Sequence, residues 1–489
     1  MSKIVTMYKS GNALYLEPTN AHMIEILKPK LSFIEKFTHY GESAVKRKSQ
    51  NLPIYEQLEH TLLEFDHKKR IVTTFGFWKL IRDTLRAHGY EVKFKDLTPI
   101  DAKLLEPAWD NIKQYKLRDN QPEFIQKILT NRCGRFDCPP GFGKSFMIGI
   151  VASLFPKAKI DVVSRRVAVL RDRIYPELVQ MVGDVGIMGG GKKRDKGRVM
   201  CYTVGSMRYS PATADILIGD ECHELAADFA AAELVRWQNS RNYGLSATHD
   251  MRYDGKDLRC HGIFGPIVFS VNYQQAQQAE MVVPIKVLWR AVKMSHDPAG
   301  YEENLVKKKR YCIWSNEFRN KLIAEDARRY DEDTQVLITV DSIEHAMNLK
   351  KLLPEFALVY MENGLSSRDR QGYIRLGCIE ENEPIMDHAR KQELTKAFEA
   401  GKLKKAICTT VWNVGVSFNQ LSVLIRADGG GSSINDVQIP GRVSRVAKDK
   451  TCGVVHDYTD EFNYSCKLKA KNRSKSYENN KWEQTNLDD

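Results

Sequence analysis

Apolar and polar positions fall into short blocks along this chain, and the pattern of the blocks changes twice. Over residues 1–107, strand-like pieces such as 70–75 mix with amphipathic helical ones such as 78–87, the latter ended by His88 and Gly89. From residue 108 to residue 283, short β-branched runs at 160–163, 199–204, 215–223 and 244–249 alternate with helix-length segments. That alternation predicts a parallel sheet with helices on both faces. The same texture starts again at 284 and runs to 460. Within it 334–340 reads as a buried strand, Ser342 opens a helix with Glu344 in its first turn, and 405–411 and 423–428 are further strands. The expected fold class is therefore α/β: two tandem parallel-sheet domains over 108–283 and 284–460. A small α+β N-terminal accessory domain (1–107) precedes them, and a basic C-terminal tail (461–489) follows.

Chemistry enters at residues 136–145, F-D-C-P-P-G-F-G-K-S, which lead into the apolar run 146–155. Gly141 and Gly143 allow a tight turn that aims backbone N–H groups inward, and the helix starting near Lys144 adds the positive end of its dipole. This is a phosphate cradle: Lys144 reaches terminal phosphates and the Ser145 hydroxyl holds a magnesium ion. The longer glycine pattern asks for Gly at 138, where this chain has Cys138. Downstream, D-I-L-I-G-D-E-C-H (215–223) delivers Asp220 and Glu221 to a sheet edge. Asp220 suits a metal ligand, and Glu221 suits the base that orients and deprotonates a water. Ser246 and Thr248, at the end of the next strand, are placed to sense that acid pair. In Q-I-P-G-R-V-S-R (438–445), Arg442 and Arg445 lie three apart, so on a helical turn they share a face.

Composition narrows the partners. The chain has 489 residues, too many for one core, and the usual ~100–200 residues per domain suggests about three domains. Lys and Arg number 74 against 62 acidic residues, a formal charge of +12, which favours a polyanion. Basic runs at 46–48, 68–70, 192–198, 307–310 and 467–475 fit either phosphate contacts or solvated loops. The first ten residues have no apolar core of a signal peptide, and the longest apolar run, 146–155, falls short of the ~20 residues of a membrane span. The ten cysteines include no C-x-x-C pair and read as reduced, packed thiols. The expected setting is cytoplasmic, without a membrane partner.

In this order the pieces resemble the superfamily-two helicases and translocases, whose two RecA-like domains clamp one ATP. The resemblance covers roughly residues 115–458. L-R-D-N-Q (117–121) is similar to the adenine-recognising element, implying nucleotide contact by Arg118 and Gln121. P-P-G-F-G-K-S matches motif I, placing Pro140, Gly141, Phe142, Gly143, Lys144 and Ser145 at the nucleotide. D-E-C-H matches motif II, S-A-T motif III, T-T-V-W-N-V-G-V (409–416) motif V, and 438–445 motif VI. The family implies γ-phosphate contact by Arg442 and Arg445, coupling through Ser246, Thr248 and Gln438, and nucleotide contact at Gly415. Its nucleic-acid contacts carry over to Arg165, Arg166, Thr203, Ser206, Thr409 and Thr410; 163–166 departs from the usual motif Ia. Residues 263–269, 340–346 and the accessory domain look most like the phage branch-migration helicases typified by UvsW.

The cofactors so implied are ATP and Mg2+, with Ser145 and Asp220 holding the metal. The expected function is an ATP-dependent DNA helicase or translocase acting as a monomer on forked, branched or single-stranded DNA. An RNA helicase of the same superfamily, or a nucleic-acid-binding subunit with weak ATPase and no unwinding, stand as alternatives. The long connection 364–389, carrying Arg368, Arg370, Tyr373 and Arg375, is expected to help separate strands.

Overall fold

The computed structural model describes the chain except residues 1–2, 40–42, 44–45, 48, 51, 54, 99–105, 248–254, 362–363, 413–415, 417, 432 and 488–489. The chain divides into two compact units, Met1–Cys138 with Gly143–Val271, and Pro139–Phe142 with Asn272–Asp489.

The first unit holds a five-stranded sheet and an eight-stranded one. In the smaller, Lys3–Ser10 pairs antiparallel with Ala13–Glu17 and parallel with Tyr90–Asp96. Alternation along these strands turns Val5, Met7, Leu14 and Leu16 to one face, where Leu27, Ile81 and Leu85 of the helices Ala21–Leu27 and Trp78–Ala87 cover them. Residues 1–107, expected as a separate domain, share this unit with the larger sheet. Gly76 makes that join possible: a Cβ there would lie 2.2 Å from the His261 carbonyl oxygen. Lys256 reinforces it, with Nζ 2.5 Å from Glu35 and 2.9 Å from Asp228.

The larger sheet runs, edge to edge, Lys192–Arg194, Val185–Gly189, Val199–Thr203, Ile160–Ser164, Ile216–Asp220, Arg241–Ser246, Cys133–Asp137, Ile267–Ser270. All neighbours are parallel except the first pair. Ile160–Ser164, Val199–Thr203 and Ile216–Asp220 are buried along their whole length, as strands covered on both faces must be. Helix Lys144–Leu154 follows Cys133–Asp137 and is buried nearly all round.

The second unit is built on a seven-stranded parallel sheet in the order Ala357–Val359, Lys405–Cys408, Val336–Thr339, Val423–Arg426, Gly453–Asp460, Ile285–Val292, Glu483–Asn486. One core runs from Ile285 to Trp482. Residues 461–489, expected as a basic tail, contain the helix Tyr464–Asn479 and the edge strand Glu483–Asn486. The lysines of the basic run 467–475 lie on this helix, while Ala470, Arg473 and Tyr477 are buried.

Candidate nucleotide site

Three adjacent strands, Ile216–Asp220, Arg241–Ser246 and Cys133–Asp137, end together, with Asp220 opposite Leu245 and Ser246 opposite Asp137. Their carboxyl ends form the edge at which open parallel sheets bind ligands. The acid pair, the S-A strand end and the glycine loop all leave from that edge. Cys138 continues the strand, its N–H donating to the Ser246 carbonyl at 2.8 Å, and its side chain is fully buried. No glycine is required there. Positive φ begins at Gly141 and Gly143, both +87°, and Gly143 caps the helix that carries Lys144 and Ser145.

Lys144 Nζ lies 2.6 Å from Glu221 Oε1. Burial works against the Lys144 charge, but Glu221 and Asp220 outweigh it and hold its pKa above the usual lysine value. The same pairing splits the two acids. Burial and the neighbouring Glu221 raise Asp220; partial burial also works to raise Glu221, but Lys144 and His223 hold it below the usual carboxylate range. Asp220 is 4% exposed and accepts from Ser164 Oγ at 3.4 Å. Glu221 sits in left-handed backbone at φ 46°, a conformation unusual for a glutamate and common where a side chain is re-aimed at a site. Ser246 Oγ is 3.5 Å from Glu221 Oε2 and 2.7 Å from His223 Nδ1, so the third motif touches the second directly. Thr248 lies outside the described residues.

Gln121 is 2% exposed, accepts from the Arg118 N–H at 2.9 Å, and its Nε2 would lie 3.4 Å from a Cβ at Gly143. The adenine-type element and the glycine loop therefore meet. Arg118 is exposed, as is Gly141, while Phe142 is fully buried and Pro140 half-buried. Ser145 is 7% exposed. Ser145 and Asp220 offer oxygen donors only, a set that suits a hard cation such as Mg2+. Among the described residues, no group of three or more His, Cys, Asp or Glu is placed to hold a metal by itself.

The expected nucleic-acid residues divide. Arg165 and Thr410 are exposed. Arg166 is engaged by Glu224, through Nε at 2.9 Å and through Nη2, so the charge available to a phosphate there is reduced. Thr203 and Ser206 are buried, bonded to each other at 3.0 Å, and Ser206 donates to the Met188 carbonyl. Thr409 is buried, its N–H donating to Val359 at 2.9 Å. The Arg166, Thr203 and Ser206 side chains are thus already bonded within the protein, which motif position alone does not reveal.

In the second unit, the turn Pro440–Ser444 carries Arg442, which is 8% exposed and close enough to Cys408 to act on its thiol electrostatically. Arg445 follows in extended backbone, bridged to Val282, so the helical turn that would align the two arginines ends at Ser444. Gln438 is half-buried at the end of the helix Ser433–Gln438, and Gly415 lies outside the described residues.

Fold and strand-edge geometry define the class first: an α/β protein with two RecA-like parallel sheets, the first carrying a glycine loop and an acid pair on neighbouring strand ends. Comparison with known proteins adds a domain match and distant relatives. Residues 318–447 match the helicase conserved C-terminal domain. The chain is 27% identical, over 50% of its length and 42% of the relative's, to a Sulfolobus islandicus filamentous virus protein provisionally named helicase 22. It is 24% identical, over 79% of its length and 60% of the relative's, to a Haloarcula marismortui protein provisionally named DNA 3'-5' helicase Rad25. The chain thus spans less than two thirds of either relative. Among solved structures, Saccharomyces cerevisiae Dbp5 bound to RNA and ADP BeF3 shares the fold, with TM-score 0.52 and 14% identity over 80% of this chain and 95% of that one. T4 UvsW aligns over 100% of both chains at 17% identity and TM-score 0.42. The chain thus carries a helicase C-terminal domain and is similar to helicases, in line with the superfamily-two resemblance of its ordered motifs.

Proposed function

We propose that this chain is an ATP-dependent DNA helicase or translocase that remodels forked or branched DNA, working as a monomer. The observation that carries the reading is the Lys144–Glu221 pair at 2.6 Å, beside Asp220 and Ser246 on one strand edge. A phosphate would compete with Glu221 for Lys144, and a Glu221 released from that ion pair can accept the proton of an attacking water. Ser145 and Asp220 would hold Mg2+, which supplies charge neutralisation at the phosphates. Gln121 and Arg118 would read the base. Arg442 and Arg445 would act on the γ-phosphate during turnover, and its release would drive the stroke that moves the strand.

The relative named as a DNA helicase supports DNA as the track. Phosphate-dominated binding makes the reaction indifferent to sequence and sensitive to salt. The test is a panel of ATPase rates with single-stranded, duplex, forked and four-way DNA and with RNA. Stimulation should be strongest with forked or four-way DNA. A rate raised by RNA alone would replace the DNA reading, and binding without stimulated turnover would point to a clamp.

A further inference from the structure

The helix Tyr464–Asn479 lies outside the residues that match the helicase conserved C-terminal domain, yet it carries two side chains buried among charges. Arg473 is 1% exposed and spends every nitrogen: Nε on Asp457 at 2.9 and 3.1 Å, Nη1 on the Gly430 carbonyl at 2.5 Å, and Nη2 on the Tyr458 carbonyl at 2.9 Å. Tyr477, fully buried, donates its hydroxyl to Asp457 Oδ2 at 2.7 Å and accepts from Arg426 Nη1 at 3.1 Å. Arg426, at the end of Val423–Arg426, holds Asp428 through Nε at 3.0 Å and Asp436 through Nη2 at 2.7 Å. Asp436 is 1% exposed and sits on the helix Ser433–Gln438, which leads straight into the turn bearing Arg442.

A continuous chain of buried hydrogen bonds and ion pairs therefore runs from the C-terminal helix to the start of motif VI. The backbone between them is permissive, with Gly429 at φ +59° and two further glycines after it. Gly431 is pressed against the same helix: a Cβ there would meet Lys469 side-chain atoms at 3.0 Å. A triple-glycine segment does not hold a position by itself, because it loses the most conformational freedom on ordering. The clamp from Arg473 and Tyr477 supplies what the glycines lack. Buried paired charges are best used this way, as fixers of one geometry rather than as sources of stability.

We propose that Arg473 and Tyr477 are positioning residues for motif VI, setting the placement of Arg442 through Arg426 and Asp436 without touching nucleotide. The inference rests on the reading of Arg442 given under Proposed function. Tyr477→Phe is the test, because the ring keeps its packing against Trp289 and Trp482 while both hydroxyl bonds are lost. Two measurements are made on the full chain, wild type and variant. One is hydrogen exchange of the 433–445 amides; the other is forked-DNA-stimulated ATPase with kcat and the KM for ATP separated.

The expected result is faster exchange confined to 433–445, with kcat lower by roughly tenfold and KM unchanged. Arg473→Lys, which keeps the charge and loses the fork, should show the same split more weakly. Unchanged exchange overturns the clamp, whatever the turnover. Faster exchange with unchanged kcat overturns the positioning role. A wild type whose turnover no nucleic acid stimulates is a separate failure, seen without any variant; it overturns the functional reading and the positioning claim that rests on it.

Discussion

Lys144 stands beside two carboxylates whose proton affinities it helps to separate. The neighbouring acids differ because only Glu221 bonds the lysine directly. Arg442 is expected to act only as charge develops in the transition state. Arg442→Ala should therefore leave nucleotide affinity nearly unchanged while turnover falls on the order of 10³-fold, about 4 kcal/mol. Equilibrium nucleotide binding together with steady-state ATPase checks this; unchanged turnover would remove the assigned role. In the second unit, His456 contributes to the pH response. Burial, with Arg329 and Arg290 nearby, lowers His456 from 6.5 to about 4, and its Nε2 is 2.5 Å from the Tyr330 hydroxyl. The unfolded chain then binds that proton first as pH falls. Its contribution is complete above pH 6.5 and is lost progressively between 6.5 and about 4, up to roughly 3 kcal/mol. Buried His345 is shifted the same way, chiefly by burial. Urea midpoints should drop between pH 7.5 and pH 5, and His456→Gln should flatten that drop; an unaltered slope would contradict the assignment.

At the scale of elements, strands with continuous apolar runs were legible. The readings at 160–163 and 199–204 became Ile160–Ser164 and Val199–Thr203, and the amphipathic stretch 78–87 is the helix Trp78–Ala87. Ser342 does open the helix Ile343–Leu352, standing at its N-cap position without a side-chain capping bond. The glycine loop and the acid pair were legible because each rests on local backbone needs. What could not be read depends on partners distant in sequence. The Glu224 partner of Arg166 is one case, and the burial of Arg473 against Asp457 is another. The insert at 364–389 shows the same limit. It forms the helix Ser367–Arg375, and Arg370 Nη2 donates to the carbonyls of Glu381 at 2.9 Å and Glu383 at 2.6 Å. Arg370 thus braces the segment, and Cys378, Ile379 and Met386 are buried beneath it. Deleting the segment would open the core, so exposed Arg368 and Arg375 give the cleaner test. Replacing both with Ala should slow fork unwinding severalfold and spare DNA-stimulated ATPase; equal loss of both activities would deny the insert a part in strand separation.

For the molecule as a whole, two mainly parallel sheets repeat one architecture, and the glycine loop at 141–143 follows a strand of the first. The excess of 12 positive charges favours a polyanionic track. Among the described residues no helix is long and apolar enough to cross a membrane, and none of the ten cysteines is in a disulfide, nine of them being buried. On the proposed function, phosphate chemistry at Lys144 drives movement along DNA. Strand separation of a forked duplex, with and without ATP, by the wild type and by Lys144→Ala, measures it directly. The account predicts ATP-dependent separation by the wild type and none by the variant, with fork binding retained in both. Separation by Lys144→Ala at the wild-type rate, or none by the wild type on any forked or branched DNA, would contradict it.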